Sequence, residues 1–177
     1  MEIQDFDFYE FVKTRKSVKN FIFQKIDNEV LRDILECARW TPSLKNTQPW
    51  KVNLVVHPTL KRMIADLTVE GGIMENAYAN FVIFLDLERS TNREVDIQAI
   101  GALMQNILLA VHSKKLGGML LSDIVKNKEA VNEMFKLDAK QYELMGVIAV
   151  GVIDEQMEEK FKKPRERRFV EEFSETF

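Results

Sequence analysis

Apolar positions along this chain follow two patterns that alternate from end to end. Helical spacing marks Phe8, Phe11 and Val12 behind a cap at Asp5, and again Val30, Leu31, Ile34, Leu35 and Ala38 in a helix from Asp27 to about Trp40. Pro42 ends that helix, because proline disfavours helical backbone in the residue before it. Pro58 suits the first turn of a helix carrying Leu60, Met63, Ile64 and Leu67, which Gly71-Gly72 breaks. The longest helix runs from Asp96 to Leu116. Its apolar residues, Ile100, Leu103, Met104, Ile107, Leu108 and Val111, cover more than one face, which places it at a buried centre or a subunit interface. Gly117-Gly118 is expected to close it, and a short helix follows over Lys128 to Phe135.

Between the helices lie runs of strand length: an extended Val18 to Phe23, then Val52 to Val56, Phe81 to Leu85, Met119 to Leu121 and Leu144 to Val152. Phe81 to Leu85 is almost wholly apolar, as expected of a central strand covered on both faces. Residues 155–177 have no clean period, so they are predicted to cross a surface, their own or that of another subunit. There is no repeat, linker or low-complexity segment. Helices alternating with buried strands predict an α/β or α+β layer structure, in one domain spanning residues 1–177.

Composition narrows the function classes. Of 177 residues, 46% are apolar and 30% charged, with a net charge of -3, so basic clusters are local features and no general attraction to nucleic acid or an anionic membrane is implied. The single cysteine, Cys37, excludes an intrachain disulfide and fits a reducing cytoplasm; it is expected to be a packed thiol on its helix. The acidic N-terminus lacks the apolar stretch of a signal peptide, and no apolar run approaches the roughly 20 residues that cross a bilayer. His57 and His112 stand alone, without metal-ligand spacing, so no metal is expected. The glycine pairs match neither a Walker loop nor a dinucleotide fingerprint.

The chemistry gathers in three polar clusters. Arg15-Lys16-Ser17-Val18-Lys19 puts a guanidinium, a hydroxyl and an ammonium at alternate positions, which face one side of an extended loop; Lys16 points the other way. Thr41-Pro42-Ser43-Leu44-Lys45-Asn46-Thr47-Gln48-Pro49-Trp50 is crowded with amides and hydroxyls, and Arg165 and Arg167 repeat the alternation near the C-terminus. Guanidinium groups bind a phosphate monoester bidentately, and hydroxyls complete its shell. The three clusters suit a flat, phosphorylated, hydrogen-bonding ligand.

The first two clusters, joined by the helix ending Ala38-Arg39-Trp40-Thr41-Pro42-Ser43, resemble the N-terminal signature of the nitroreductase family. Asp96 to Gly118 resembles its long central helix, Leu144 to Gly151 its last core strand, and Lys163-Pro164-Arg165-Glu166-Arg167-Arg168-Phe169 its C-terminal tail. The resemblance implies an α+β three-layer fold with a mostly antiparallel central sheet, a homodimer with FMN at its interface, and a tail (residues 155–177) extending onto the partner. It implies hydride transfer from NADH or NADPH through FMN to nitroaromatics, quinones or similar acceptors in ping-pong order. The alternatives are a flavin-binding storage or sensor protein with little turnover, or a relative that uses the same flavin cradle for another reductive activity. Arg15 and Ser17 would hold the phosphate with Arg165 and Arg167, opposite chain ends converging across a twofold contact. Lys19 would lie by the pyrimidine edge of the ring, where a cation favours the charge that reduction brings. Lys16 is a weaker candidate. Pro42, Ser43 and Asn46 would reach the flavin from the partner, Gln48 would brace their loop, and the backbone at Leu121-Ser122 would approach the ring. Departures lie at Leu120-Leu121-Ser122, which lacks the family's aromatic, at Phe169, where relatives often have proline, and in a shortened segment where Glu70, Asn76 and Asn80 compete to face the ring.

Overall fold

A computed structural model describes residues 6–161 and 164–177 of the chain; the cap assigned to Asp5 and the Lys163 of the tail motif lie outside them. Five strands form one antiparallel sheet. They are β1 (Phe21–Ile22), β2 (Trp50–Val55), β3 (Ala79–Asp86), β4 (Gly117–Leu121) and β5 (Tyr142–Ile153). β3 lies between β2 and β5, while β4 and β1 share the opposite edge of β5. Gly146, at φ 149, sits where the β3–β5 register shifts between Ile83 and Phe84, a backbone conformation that suits glycine alone.

The period of two along the strands divides the core. Phe81, Ile83 and Leu85 of β3, with Ile148 and Val150 of β5, face α2 (Asn28–Arg39) and α5 (Arg93–Ser113). Val82 and Phe84, with Val147 and Ala149, face the layer built by α3 (Pro58–Ala65), α4 (Gly71–Asn76) and α6 (Lys128–Met134). Every residue of β3 is buried, as the continuous apolar run required. The result is the expected three layers with the sheet in the middle.

α2 buries Leu31, Ile34 and Ala38 of its expected stripe. α5 is long and apolar enough, by length and composition, to cross a membrane, yet half of that stretch is packed inside as a core helix. Its other face, carrying Gln98, Gly101 and Gln105, stays open. The buried Asp96 carboxylate ties the start of α5 by accepting from Ser90 Oγ and the backbone of Thr91 and Asn92. The buried Lys61 ammonium donates to the Glu75 carbonyl, at 3.1 Å, and to that of Ala77, closing α4; burial holds its pKa below the ordinary lysine value.

Several expectations are corrected. α1 (Phe8–Thr14) is capped by Asp7, whose carboxylate accepts from Glu10 N at 3.1 Å, and none of its residues is buried in this chain. Gly117-Gly118 does not close α5. Lys115 turns the chain at φ 57, and the glycines open β4, where a Cβ on Gly117 would meet Val18 Cγ1 at 2.6 Å. Cys37 is exposed, because it points away from the Leu31–Ile34–Ala38 face of α2. The tail is not wholly irregular: α7 (Glu155–Lys160) follows β5, capped by Asp154.

Candidate functional site

The segment 15–19 is extended because it docks on the edge of β4. Ser17 bridges Gly118, and Val18 N donates to Gly118 O at 3.1 Å. Val18 is 2% exposed and points inward over Gly117, so its neighbours Ser17 and Lys19 face outward, as alternation required. Arg15, Lys16, Ser17, Lys19, Arg165 and Arg167 all line one groove of about 820 Å³. Opposite ends of the sequence therefore meet within a single chain; no second subunit is needed to bring them together.

The tail reaches the groove through specific contacts. Arg165 Nη1 donates to Lys13 O at 3.1 Å, at the carbonyl-rich C-terminal end of α1, where a cation is favoured. Arg167 Nη1 donates to Glu166 O at 2.7 Å. Among the described residues, no ion pair joins Arg15, Arg165 or Arg167 to a carboxylate. Burial, then the charges of Arg165 and Arg167, lower the Arg15 pKa from its ordinary value, although guanidinium stays protonated. Three guanidinium groups thus share one groove with Glu158 and Glu166, and among the described residues none of the three is paired with a carboxylate.

Glu158 on α7 organises the rim. Its Oε1 accepts from the backbone N of Lys19 and of Asn20, both at 3.1 Å, and from Asn20 Nδ2 at 2.9 Å; its Oε2 is 3.6 Å from Lys16 Nζ. Burial alone would raise this carboxyl, but the hydrogen bonds from Asn20 and the Lys19 backbone, with Lys16 nearby, hold it below the usual carboxylate range. Lys19 Nζ in turn lies 2.6 Å from Glu70 Oε1. Of the three residues competing in that segment, Asn80 is fully buried and donates to Met74 O at 3.0 Å, and Asn76 is exposed at the end of α4. Only Glu70 meets a groove residue.

The other expected site residues lie elsewhere. The loop of Pro42, Ser43, Asn46 and Gln48 does not line the groove of its own chain. It is a turn with Lys45, Asn46 and Gln48 in left-handed backbone, at φ 50, 56 and 49. Ser43 Oγ accepts from Gln48 N at 2.9 Å, Gln48 Nε2 reaches Asn46 O at 3.4 Å, and Asn106 of α5 donates to Thr41 Oγ1 at 2.8 Å. Leu121 is buried in the core, and Ser122 opens the short helix Asp123–Asn127. A smaller cavity of about 320 Å³ shares Arg15 and Lys16 with the groove and is lined also by His112, whose Nε2 is 3.1 Å from Thr14 Oγ1. Burial, then Arg15, keeps that histidine below its usual pKa.

Sequence reasoning missed Glu158 and Asn20. The available signal was Asp154, an N-cap whose carboxylate accepts from Met157 N at 3.0 Å and which starts the helix carrying Glu158.

Known proteins agree with this architecture. A protein of Desulfovibrio desulfuricans, described as a nitroreductase and solved in complex with FMN, superposes with a TM-score of 0.86 at 28% identity, covering 95% of this chain and 96% of that one. Bacillus subtilis YfhC, named as an NAD(P)H nitroreductase, is 24% identical over 92% of each chain. A Staphylococcus epidermidis protein described as an NAD(P)H:FMN oxidoreductase gives a TM-score of 0.85 over 97% of this chain and 96% of that one, a likeness at 18% identity that speaks to the fold alone. The model of the nitroreductase family matches residues 12–83 and 60–152, and with it the chain belongs to the nitroreductase family of oxidoreductases.

Proposed function

We propose that the protein is a cytoplasmic, homodimeric oxidoreductase that binds FMN and transfers hydride from NADH or NADPH to nitroaromatic, quinone or similar acceptors, in ping-pong order. The observation that carries this reading is the meeting of Arg15, Arg165 and Arg167 beside Ser17 and Lys19 in one groove. Three guanidinium groups that, among the described residues, have no carboxylate partner fit a phosphate monoester; its nearly two negative charges would offset the repulsion from Arg165 and Arg167 that adds to burial in lowering the Arg15 pKa. The complex of the Desulfovibrio relative with FMN supports the choice of phosphate ester.

Bound FMN supplies two-electron redox chemistry, so no side chain need serve as nucleophile or metal ligand. Arg15, Ser17, Arg165 and Arg167 would hold the phosphate, with Lys16 contributing long-range attraction. Lys19 would present its ammonium to the ring edge that becomes negative, and its placement rests on Glu158 and Glu70. Pro42, Ser43 and Asn46 would serve the partner's site and Gln48 would hold their loop rigid. The backbone of Leu121-Ser122 would border the ring, since Asp123, the next residue, fixes the Thr68–Val69 turn that leads to Glu70.

The dimer is supported by apolar surface that a second copy would cover. Phe8 and Tyr9 of α1, and Phe169, Val170, Phe173 and Phe177 of the tail, are all exposed. We assign the end of the tail, from Phe169 onward, to the partner's surface on that ground, while Glu158, Arg165 and Arg167 stay on the groove of their own chain. Anaerobic titration with NADH and then NADPH tests the activity. Bleaching of a flavin spectrum by either is expected; flavin that binds but stays oxidised under both would leave only a storage or sensing role.

A further inference from the structure

We propose that Glu70 is a positioning residue that sets how much positive charge Lys19 presents to the flavin, and so sets the reduction potential of bound FMN. The inference rests on the flavin reading above and adds a residue to it. The Lys19–Glu70 pair is close, 2.6 Å, but both side chains are more than a third exposed, at 52% and 36%. An exposed pair of this kind contributes little to folding stability. The backbone that carries Glu70 is nevertheless held firmly. The Asp123 carboxylate accepts from Thr68 Oγ1 at 2.5 Å and from Val69 N at 3.1 Å, and Asn127 Nδ2 donates to Leu67 O at 2.8 Å. The hydrogen bond from Thr68 leads the causes that hold the Asp123 carboxyl below its usual range, so it is ionised and can accept both bonds at neutral pH.

Gly71 completes the restraint. A Cβ there would lie 2.2 Å from Ala65 O, so the chain passes Ala65 at a distance only glycine permits. One short helix and one glycine thus hold the backbone that presents the Glu70 carboxylate to the lysine of the groove. A lysine facing a nearby carboxylate projects less positive potential than a free one, and favours negative charge on a neighbouring ring less. Glu70 therefore opposes Lys19: it lowers the potential that Lys19 raises.

The test is spectroelectrochemical titration of FMN-loaded wild type, Glu70→Gln, Lys19→Met and the double variant. Glu70→Gln is expected to favour reduced over oxidised FMN about tenfold more than wild type, a shift of about 30 mV upward for a two-electron couple. Lys19→Met shifts the potential downward, and Glu70→Gln has a clearly smaller effect once Lys19 is gone, since only the carboxylate's own field is then removed. Asp123→Asn, which loosens the turn without touching the pair, shifts it in the same direction as Glu70→Gln. An unchanged potential in Glu70→Gln, or an equal shift with and without Lys19, overturns the proposal while leaving the flavin reading intact. Wild-type protein that leaves added FMN free in solution overturns both.

Discussion

The Oε1 atom of Glu158 lies 3.1 Å from the backbone nitrogen of Lys19, a residue 139 positions earlier in the chain. This contact joins the helix that starts the C-terminal tail to the loop that carries the N-terminal cations, and so holds the groove together from both ends. Replacing Glu158 by alanine leaves the Lys19 and Asn20 N–H groups without their acceptor. The expected cost is about 1–3 kcal/mol of unfolding free energy, with weakened FMN binding. Denaturant unfolding and FMN titration of Glu158→Ala check both; unchanged values would remove Glu158 from the scaffold.

The same carboxyl gives the site an acid limit. Its folded pKa lies below the usual value near 4.5, so its stabilising contribution is complete above the unfolded pKa and is lost as pH falls through the folded one. FMN affinity should already weaken as pH falls through about 6, where the phosphate takes up a proton, and weaken further below the usual glutamate value near 4.5 as Glu158 is protonated. In Glu158→Gln the part of that decline due to this carboxyl should vanish. A pH series of FMN titrations on both proteins decides it.

Arg15→Ala separates ligand binding from folding. It removes a phosphate partner and relieves like-charge repulsion with Arg165 and Arg167. Charge-assisted contacts of this kind are worth about 1.5–3 kcal/mol, so FMN affinity should fall by roughly one to two decades. The melting temperature without FMN should not fall. A protein that melts earlier without FMN would show that Arg15 serves the fold instead.

Gly117→Ala tests the docking of the cation loop on β4. Its new Cβ would meet Val18 Cγ1 at 2.6 Å and Phe21 Cε1 at 3.0 Å, an overpacking expected to cost about 1–3 kcal/mol and to displace Ser17. At Gly72 nothing lies within 4 Å, so Gly72→Ala serves as the tolerated control. Unfolding curves for the two variants should differ clearly.

The sequence carried much of this architecture where periodicity was strong. The apolar run at Phe81 to Leu85 became the buried β3, and the stripe Leu31, Ile34, Ala38 became the inner face of α2. Features fixed by distant contacts were less visible. β1 lies inside the extended run expected over Val18 to Phe23, but its shortness was not legible: it spans two residues, Phe21 and Ile22, paired with Ile153 and Val152. α4, six residues beginning at Gly71, has too few turns for a period to show. Gly117-Gly118 carried the usual helix-closing signal, but close packing against Val18 and Leu108 explains them better. At the groove, Arg15, Ser17, Lys19, Arg165 and Arg167 were named from alternation and family resemblance together. Glu158 and Asn20 were not, because a carboxylate that accepts from backbone has no sequence partner to pair with. Glu70 could be named only as one of three until Lys19 was seen beside it.

The central claim, that guanidinium groups from both ends of the chain grip the phosphate of FMN, is tested most directly by titrating the wild-type protein and Arg165→Ala with FMN and with riboflavin, which lacks the phosphate. The wild type should bind FMN at least about a hundredfold more tightly than riboflavin, as two or more charge-assisted contacts require, and Arg165→Ala should narrow that gap at least about tenfold. Equal affinity of the wild type for the two flavins, or a gap left undiminished in Arg165→Ala, would contradict it.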